Sequence, residues 1–107
     1  METLSPLQRE MLILTLPPDP GYARLAHLAT LHFLRAQGMR IVRARRSART
    51  IESRSRTALR AAARKDPQAV ALALTYTTGP VELQAELSGA KAGKSRLLVL
   101  RRRSQRP

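Results

Sequence analysis

Ten basic side chains crowd the stretch from residue 40 to residue 65: Arg40, Arg43, Arg45, Arg46, Arg49, Arg54, Arg56, Arg60, Arg64 and Lys65, with Glu52 as the sole acid among them. A guanidinium is planar and charged at any physiological pH, and it can grip a phosphate or carboxylate with two parallel N–H groups. The chemistry this pattern supports is therefore anion binding rather than proton transfer. The whole chain carries a formal net charge of +13 over 107 residues. Such a surface attracts polyanions over roughly a Debye length, about 8 Å at physiological salt. The expected partner is an anionic macromolecule: DNA, RNA or an acidic protein surface.

Other chemistries find less support. The segment Ser88-Gly89-Ala90-Lys91-Ala92-Gly93-Lys94-Ser95 nearly spells a phosphate-binding loop. Ser88 stands where such a loop needs its first glycine, and the following residues read as a strand instead of a helix. It reads as a basic loop able to touch a phosphate backbone. His27 and His32 lie five apart on a helix, about 140° around its axis, so they do not share a metal. His32 reads as a packed histidine. No serine–histidine–acid set stands out, and no cofactor is expected. Tyr22, Phe33 and Tyr76 are the only aromatics; they read as core residues, which leaves no ring platform for stacking bases. Nucleic acid would then be held by its backbone, with little sequence preference. The chain has no cysteine, so disulfide and thiolate chemistry are excluded. No apolar run approaches the roughly 18 residues of a membrane span, and the first ten residues are too polar for a signal peptide. A cytoplasmic protein that does not enter a membrane is expected. The absence of asparagine and the preference for Arg over Lys suit a high-GC or thermophilic source.

These residues must be positioned by a small set of elements, and the length fits one domain over residues 1–107, with 1–10 as an N-terminal extension and 104–107 as a frayed tail. The short apolar run from Met11 to Leu16, ended by Pro17-Pro18, predicts a first strand. Asp19-Pro20 is a helix start, and the spacing predicts helix one over 20–37, with Tyr22, Leu25, Leu28, Ala29, His32 and Ala36 as its apolar stripe, Leu31 and Leu34 beside it, and Gly38 as its stop. On a wheel at 100° per residue, Ala44, Ala48, Ser55, Ala58, Leu59 and Ala62 cluster within about 80° of Ile51, and the arginines occupy the remaining arc. Val42 falls on the arginine side. Either helix two begins after it, or Arg40 to Arg43 is a strand. Asp66-Pro67 ends the helix. Val70, Leu72, Leu74 and Tyr76 alternate, as do Val81, Leu83, Ala85 and Leu87 after Thr77-Thr78-Gly79-Pro80, which predicts a hairpin with one buried face. Leu97 to Leu100 is the last strand. The fold class is α+β: a two-layer sandwich, with two helices on one face of a small mixed or antiparallel sheet of four to five strands.

Two family resemblances arise. Leu14-Thr15-Leu16-Pro17-Pro18-Asp19-Pro20-Gly21-Tyr22-Ala23-Arg24-Leu25-Ala26 resembles the opening strand and helix of the anti-sigma-factor branch of the GHKL (histidine-kinase-like) ATPases. Ile51-Glu52-Ser53-Arg54-Ser55-Arg56-Thr57-Ala58-Leu59 resembles that family's N-box helix, and the hairpin and the closing strand from Gly93 to Leu100 follow in similar order. The family's catalytic Glu and magnesium-holding Asn fall at Ser53 and Thr57 here, and its adenine-reading acid falls at Leu87. There is no room for an ATP lid between Gly89 and Arg96. This resemblance implies a scaffold with its ATP site erased: not an enzyme, but a regulatory binding module in transcription. The second resemblance is to Alba-like nucleic-acid-binding proteins. Gln37-Gly38, then Arg40-Ile41-Val42-Arg43-Ala44-Arg45, are similar to that family's helix exit and second strand, and Ala48-Arg49-Thr50-Ile51 to the start of its second helix. The late hairpin and the basic strand from Leu97 to Arg103 are also similar. It implies a basic DNA- or RNA-binding protein without sequence specificity.

Both readings place the anion-binding residues at Arg43, Arg45, Arg46, Arg49, Arg56, Arg60 and Arg64 on the helix, with Lys91, Lys94, Arg101, Arg102 and Arg103 nearby. The alanine-rich face of helix two has little volume, so a homodimer would add useful apolar burial.

Overall fold

The computed structural model describes residues 10–79, 82–89 and 93–101. The first strand, β1 (Glu10–Leu16), is followed by a single 3-10 turn at Pro20–Tyr22 and the first helix, α1 (Ala23–Ala36). Asp19 sets that turn: its carboxylate accepts from the Gly21 N–H at 2.9 Å, and Pro20 supplies the fixed φ. Gly38 closes α1 in the left-handed region at φ 88°. Its N–H donates to the Arg35 carbonyl and that of Met39 to the Leu34 carbonyl, each at 3.0 Å, a Schellman-type cap that needs glycine at this place.

The second helix, α2 (Ile41–Lys65), is 25 residues long, and it is followed by β2 (Leu72–Thr78), β3 (Glu82–Gly89) and β4 (Gly93–Arg101). The four strands form one antiparallel sheet in sequence order, β1-β2-β3-β4. Both helices cover one face of it, giving the expected α+β two-layer sandwich with an antiparallel four-stranded sheet. Leu16, Leu72, Leu74, Tyr76, Leu83, Ala85 and Leu87 point from the sheet into the core and meet Ala26, Phe33 and Leu34 of α1 and Ala44, Ile51, Leu59 and Ala62 of α2. α1 lies over the β1–β2 side, where the Tyr76 hydroxyl reaches the Ala26 carbonyl at 3.1 Å and Thr30 Oγ1 at 2.6 Å. α2 lies over the β3–β4 side, and Arg54 donates to the Leu97 carbonyl at 2.7 Å.

Several expectations need correction. Arg40 to Arg43 is not a strand: α2 starts at Ile41 and runs without glycine or proline to Lys65. Val42 stays on the arginine side, 66% exposed, because the helix must begin before Ala44 to bury it. The element order is β-α-α-β-β-β. The apolar stripe chosen for α1 is the wrong face. Ala23, Ala26, Thr30, Phe33 and Leu34 are buried, while Tyr22, Leu25, Leu28, His32 and Ala36 are exposed. Small residues let α1 sit close to the sheet, and Thr30 with the Ala26 carbonyl satisfies the buried Tyr76 hydroxyl. An apolar face without those partners would leave that hydroxyl orphaned.

Val70 precedes β2 and is exposed, and Val81 lies outside the described residues. The loop expected from Ser88 to Ser95 is shorter: β3 runs to Gly89 and β4 begins at Gly93, four residues before Leu97. The register shift between Ala85 and Glu86 accommodates Leu97 as an extra buried residue on β4. Glu10 belongs to β1, and residues 1–9 of the expected extension lie outside the described residues, as do residues 102–107.

Candidate anion-binding face

The outward face of α2 follows from its inward one. Ala44, Ala48, Ile51, Ser55, Leu59 and Ala62 are buried, as the wheel predicts, and Ser47 joins them. Opposite Ile51, Arg45, Arg46, Arg49, Arg56, Arg60 and Arg64 are all exposed. Arg45, Arg49, Arg56, Arg60 and Arg64 form a single row, one side chain per turn apart from the gap at Ser53. At 1.5 Å per residue the row extends about 28 Å. Along it Arg45, Arg49, Arg60 and Arg64, and beside it Arg46, make no ion pair among the described residues. Arg64 and Lys65 complement the helix C-terminus, whereas Arg40 and Arg43 at the N-terminus oppose the helix dipole.

Glu52 accounts for the exception. Its carboxylate lies 3.0 Å from the Arg56 guanidinium, 2.8 Å from His27 Nδ1 and 3.9 Å from Arg24. The His27 contact is close, although the buried Nδ1 makes no regular hydrogen bond. Glu52 thus ties α1 to α2 and neutralises one arginine of the row. The sequence marks it as the lone acid in the stretch, but a 25-residue separation hides its contact with His27.

The structure divides the expected contact residues. Arg43 is exposed on the flank of α2, about 100° from the centre of the row. Arg54, which is not among the expected contacts, donates to the Leu97 carbonyl of β4. Lys94 pairs with Ser88 and Arg101 with Glu82, on the sheet face away from the helices. They do not join the α2 row. Lys91, Arg102 and Arg103 lie outside the described residues.

The phosphate-loop pattern also resolves. Lys94 and Ser95 are strand residues in β4, so no helix N-terminus follows Gly93. Ser95 and Leu87 line a small open pocket with Ala58, Ala61, Leu72 and Lys65. No acid lines it, and the helix end nearest to it is the C-terminus of α2, which disfavours a phosphate. Ser53 and Thr57 are exposed among the arginines. No group of three side chains able to hold a metal ion occurs among the described residues, and no described helix is long and apolar enough to cross a membrane.

Of the three aromatics, Phe33 and Tyr76 are core residues with ring centroids 5.1 Å apart, as expected, but Tyr22 is partly exposed. Burial pushes the Tyr76 phenol up to about 12, with the Thr30 hydrogen bond a smaller opposing influence. Comparisons with protein-family models, with curated proteins and with solved structures give no match.

Proposed function

We propose that this chain is a non-catalytic binding protein that docks an anionic macromolecule along α2, and that the partner is the phosphate backbone of DNA or RNA. The observation that carries this reading is the row Arg45-Arg49-Arg56-Arg60-Arg64, exposed and largely free of acids. A duplex presents one phosphate charge per roughly 1.7 Å of axis, so a straight cationic row of this length meets several phosphates at once. Apart from Val42 the row offers no large apolar anchor, and an interface with a folded protein needs such a dry centre. Backbone contacts by this row alone carry no sequence preference. The cytoplasm, where nucleic acid is accessible, suits this role.

A second reading keeps the anti-sigma-like scaffold and takes an acidic transcription protein as partner. It is favoured by the β-α-α-β-β-β order and by Ser53 and Thr57, which replace the catalytic pair on an arginine-coated face. Neither reading leaves a group for ATP hydrolysis, and purified protein with magnesium and ATP is expected to show no turnover.

The test is fluorescence anisotropy of labelled duplex DNA and RNA, titrated with protein at low and moderate salt. About five phosphate contacts predict a log–log salt slope near −4.5 on duplex DNA. Absence of binding at low salt would overturn the nucleic-acid reading. Capture of an acidic transcription protein that is lost in an Arg49→Glu/Arg60→Glu variant would then favour the second.

A further inference from the structure

Beyond the arginine row, the molecule has one side that is almost free of charge. β1 is an edge strand, with no partner on its outer side among the described residues. Its one charged residue is Glu10 at its start; from Met11 to Leu16 it carries none, and Ile13 is 56% exposed. It holds none of the devices that usually protect an edge, such as lysine, proline or a bulge. The opposite edge, β4, is guarded by exposed Lys94, Arg96 and Arg101. Beside β1, the 3-10 turn and α1 expose Tyr22, Leu25 and Leu28 to 39%, 44% and 49%. Arg24 and His27 turn the other way, toward Glu52 on α2. The flank of α1 on the β1 side therefore carries Ala29 and Ala36, and Tyr22 of the preceding 3-10 turn continues the seven-residue spacing.

We propose that this side is the interface for a second copy of the same chain, with β1 pairing antiparallel to its mate and α1 packing against α1 above it. Three observations select a second copy as the occupant. First, an antiparallel pair of identical strands is related by a two-fold axis perpendicular to the sheet, so the two helix layers come to lie on the same face. Second, the spacing fits. Strands lie about 4.8 Å apart, so each helix covers a width of about two strands, close to 10 Å, which is the ordinary distance between packed helices. α1 and its mate would meet at that distance without adjustment. Third, the seam is self-complementary. α1 spans about 21 Å beside a β1 of about 23 Å, so helix and strand match in length. A two-fold axis at Ala29 opposes Ala29 to itself and Tyr22 to Ala36 of the mate, large against small at both ends. Charge leaves few alternatives: copies at +13 repel each other through the arginine row and the β4 edge. In the dimer, both α2 rows lie on one surface of an eight-stranded sheet, at its two outer margins.

Sedimentation velocity in the tens of micromolar tests the pairing. A dimer is expected, and it strengthens as salt screens the repulsion, the opposite sign to nucleic-acid binding. Ala29→Lys puts two like charges on the axis and is expected to weaken dimerisation by about tenfold or more, with far-UV dichroism unchanged. Because the chain has no cysteine, Ala29→Cys provides a positive readout. On oxidation it forms a disulfide-linked dimer, while an Arg60→Cys control remains uncrosslinked. A wild-type chain that stays monomeric across the salt range overturns the proposal, and so does a dimer in which Ala29→Cys fails to cross-link.

Discussion

α1 and α2 lie side by side on one sheet and bury faces of similar character, small residues with a few large anchors: Ala23, Ala26, Thr30 and Phe33 on α1, and Ala44, Ala48, Ile51 and Leu59 on α2. Their outward faces differ. α2 turns a row of arginines to solvent, and α1 with the 3-10 turn before it presents Tyr22, Leu25 and Leu28. Glu52 stands at the boundary, gripped by Arg24 from one helix and Arg56 from the other. Solvent tolerates either face on a folded domain. A cationic row and a sparsely charged edge suit different partners, however, and the molecule separates the two chemistries by helix. Under the two proposals above, this division would let a strongly basic chain bind a polyanion on one side without its own charge preventing association on the other.

Reversing the charge of the row breaks the comparison most severely. In an Arg49→Glu/Arg56→Glu/Arg60→Glu variant, duplex DNA binding at low salt is expected to fall by at least about a thousandfold, and the salt slope to flatten by about 3 units. At Arg49 and Arg60, which are exposed and make no ion pair among the described residues, the change should cost no more than about 0.5 kcal/mol per site in urea, whereas Arg56→Glu also breaks the pair with Glu52. The inward face of the same helix gives the opposite result. Ile51→Ala leaves a hole under α2 and is expected to cost about 2–5 kcal/mol of stability in urea.

The core anchor on the α1 side responds to alkaline pH. The folded protein holds the Tyr76 phenolic proton up to about 12, against 10 for the ordinary group. Between those values the unfolded chain has lost the proton and the folded one has kept it. The stability is full below pH 10 and is lost as pH rises through 12. Two units correspond to roughly 2–3 kcal/mol. Urea titrations at stepped alkaline pH should show this decline, and Tyr76→Phe should flatten it while costing about 1 kcal/mol at neutral pH through the lost hydrogen bonds. Smaller effects sharpen the α2 side. Arg54→Ala removes the bond to the Leu97 carbonyl and is expected to cost about 1 kcal/mol. Ser55 is buried with no hydrogen-bond partner for Oγ among the described residues, so Ser55→Ala should leave stability unchanged or raise it by up to about 1 kcal/mol. Thermal denaturation of both variants beside wild type checks the signs.

Local patterns in the chain already determine much of this. The α2 period of 3.6 with arginines opposite Ile51 is legible because alanine and arginine differ so sharply in polarity. The caps at Asp19-Pro20 and Gly38, the stop at Asp66-Pro67 and the alternation from Leu72 to Leu87 are equally local, since each rests on φ, a missing N–H or a two-residue period. What tertiary structure decided is which of two plausible faces a mostly apolar helix would bury. α1 has apolar residues on both of the candidate faces, and the buried hydroxyl of Tyr76, fifty residues beyond Ala26, meets Thr30 and the Ala26 carbonyl on the face that is buried. Val42 is a similar case: the continuity of the helix, fixed by the need to bury Ala44, outweighed the exposure of one valine. The separation of Lys94 and Arg101 from the α2 row came from strand register, because pairing sends alternate residues to opposite faces and no nearest-neighbour pattern in the chain specifies which residue pairs with which.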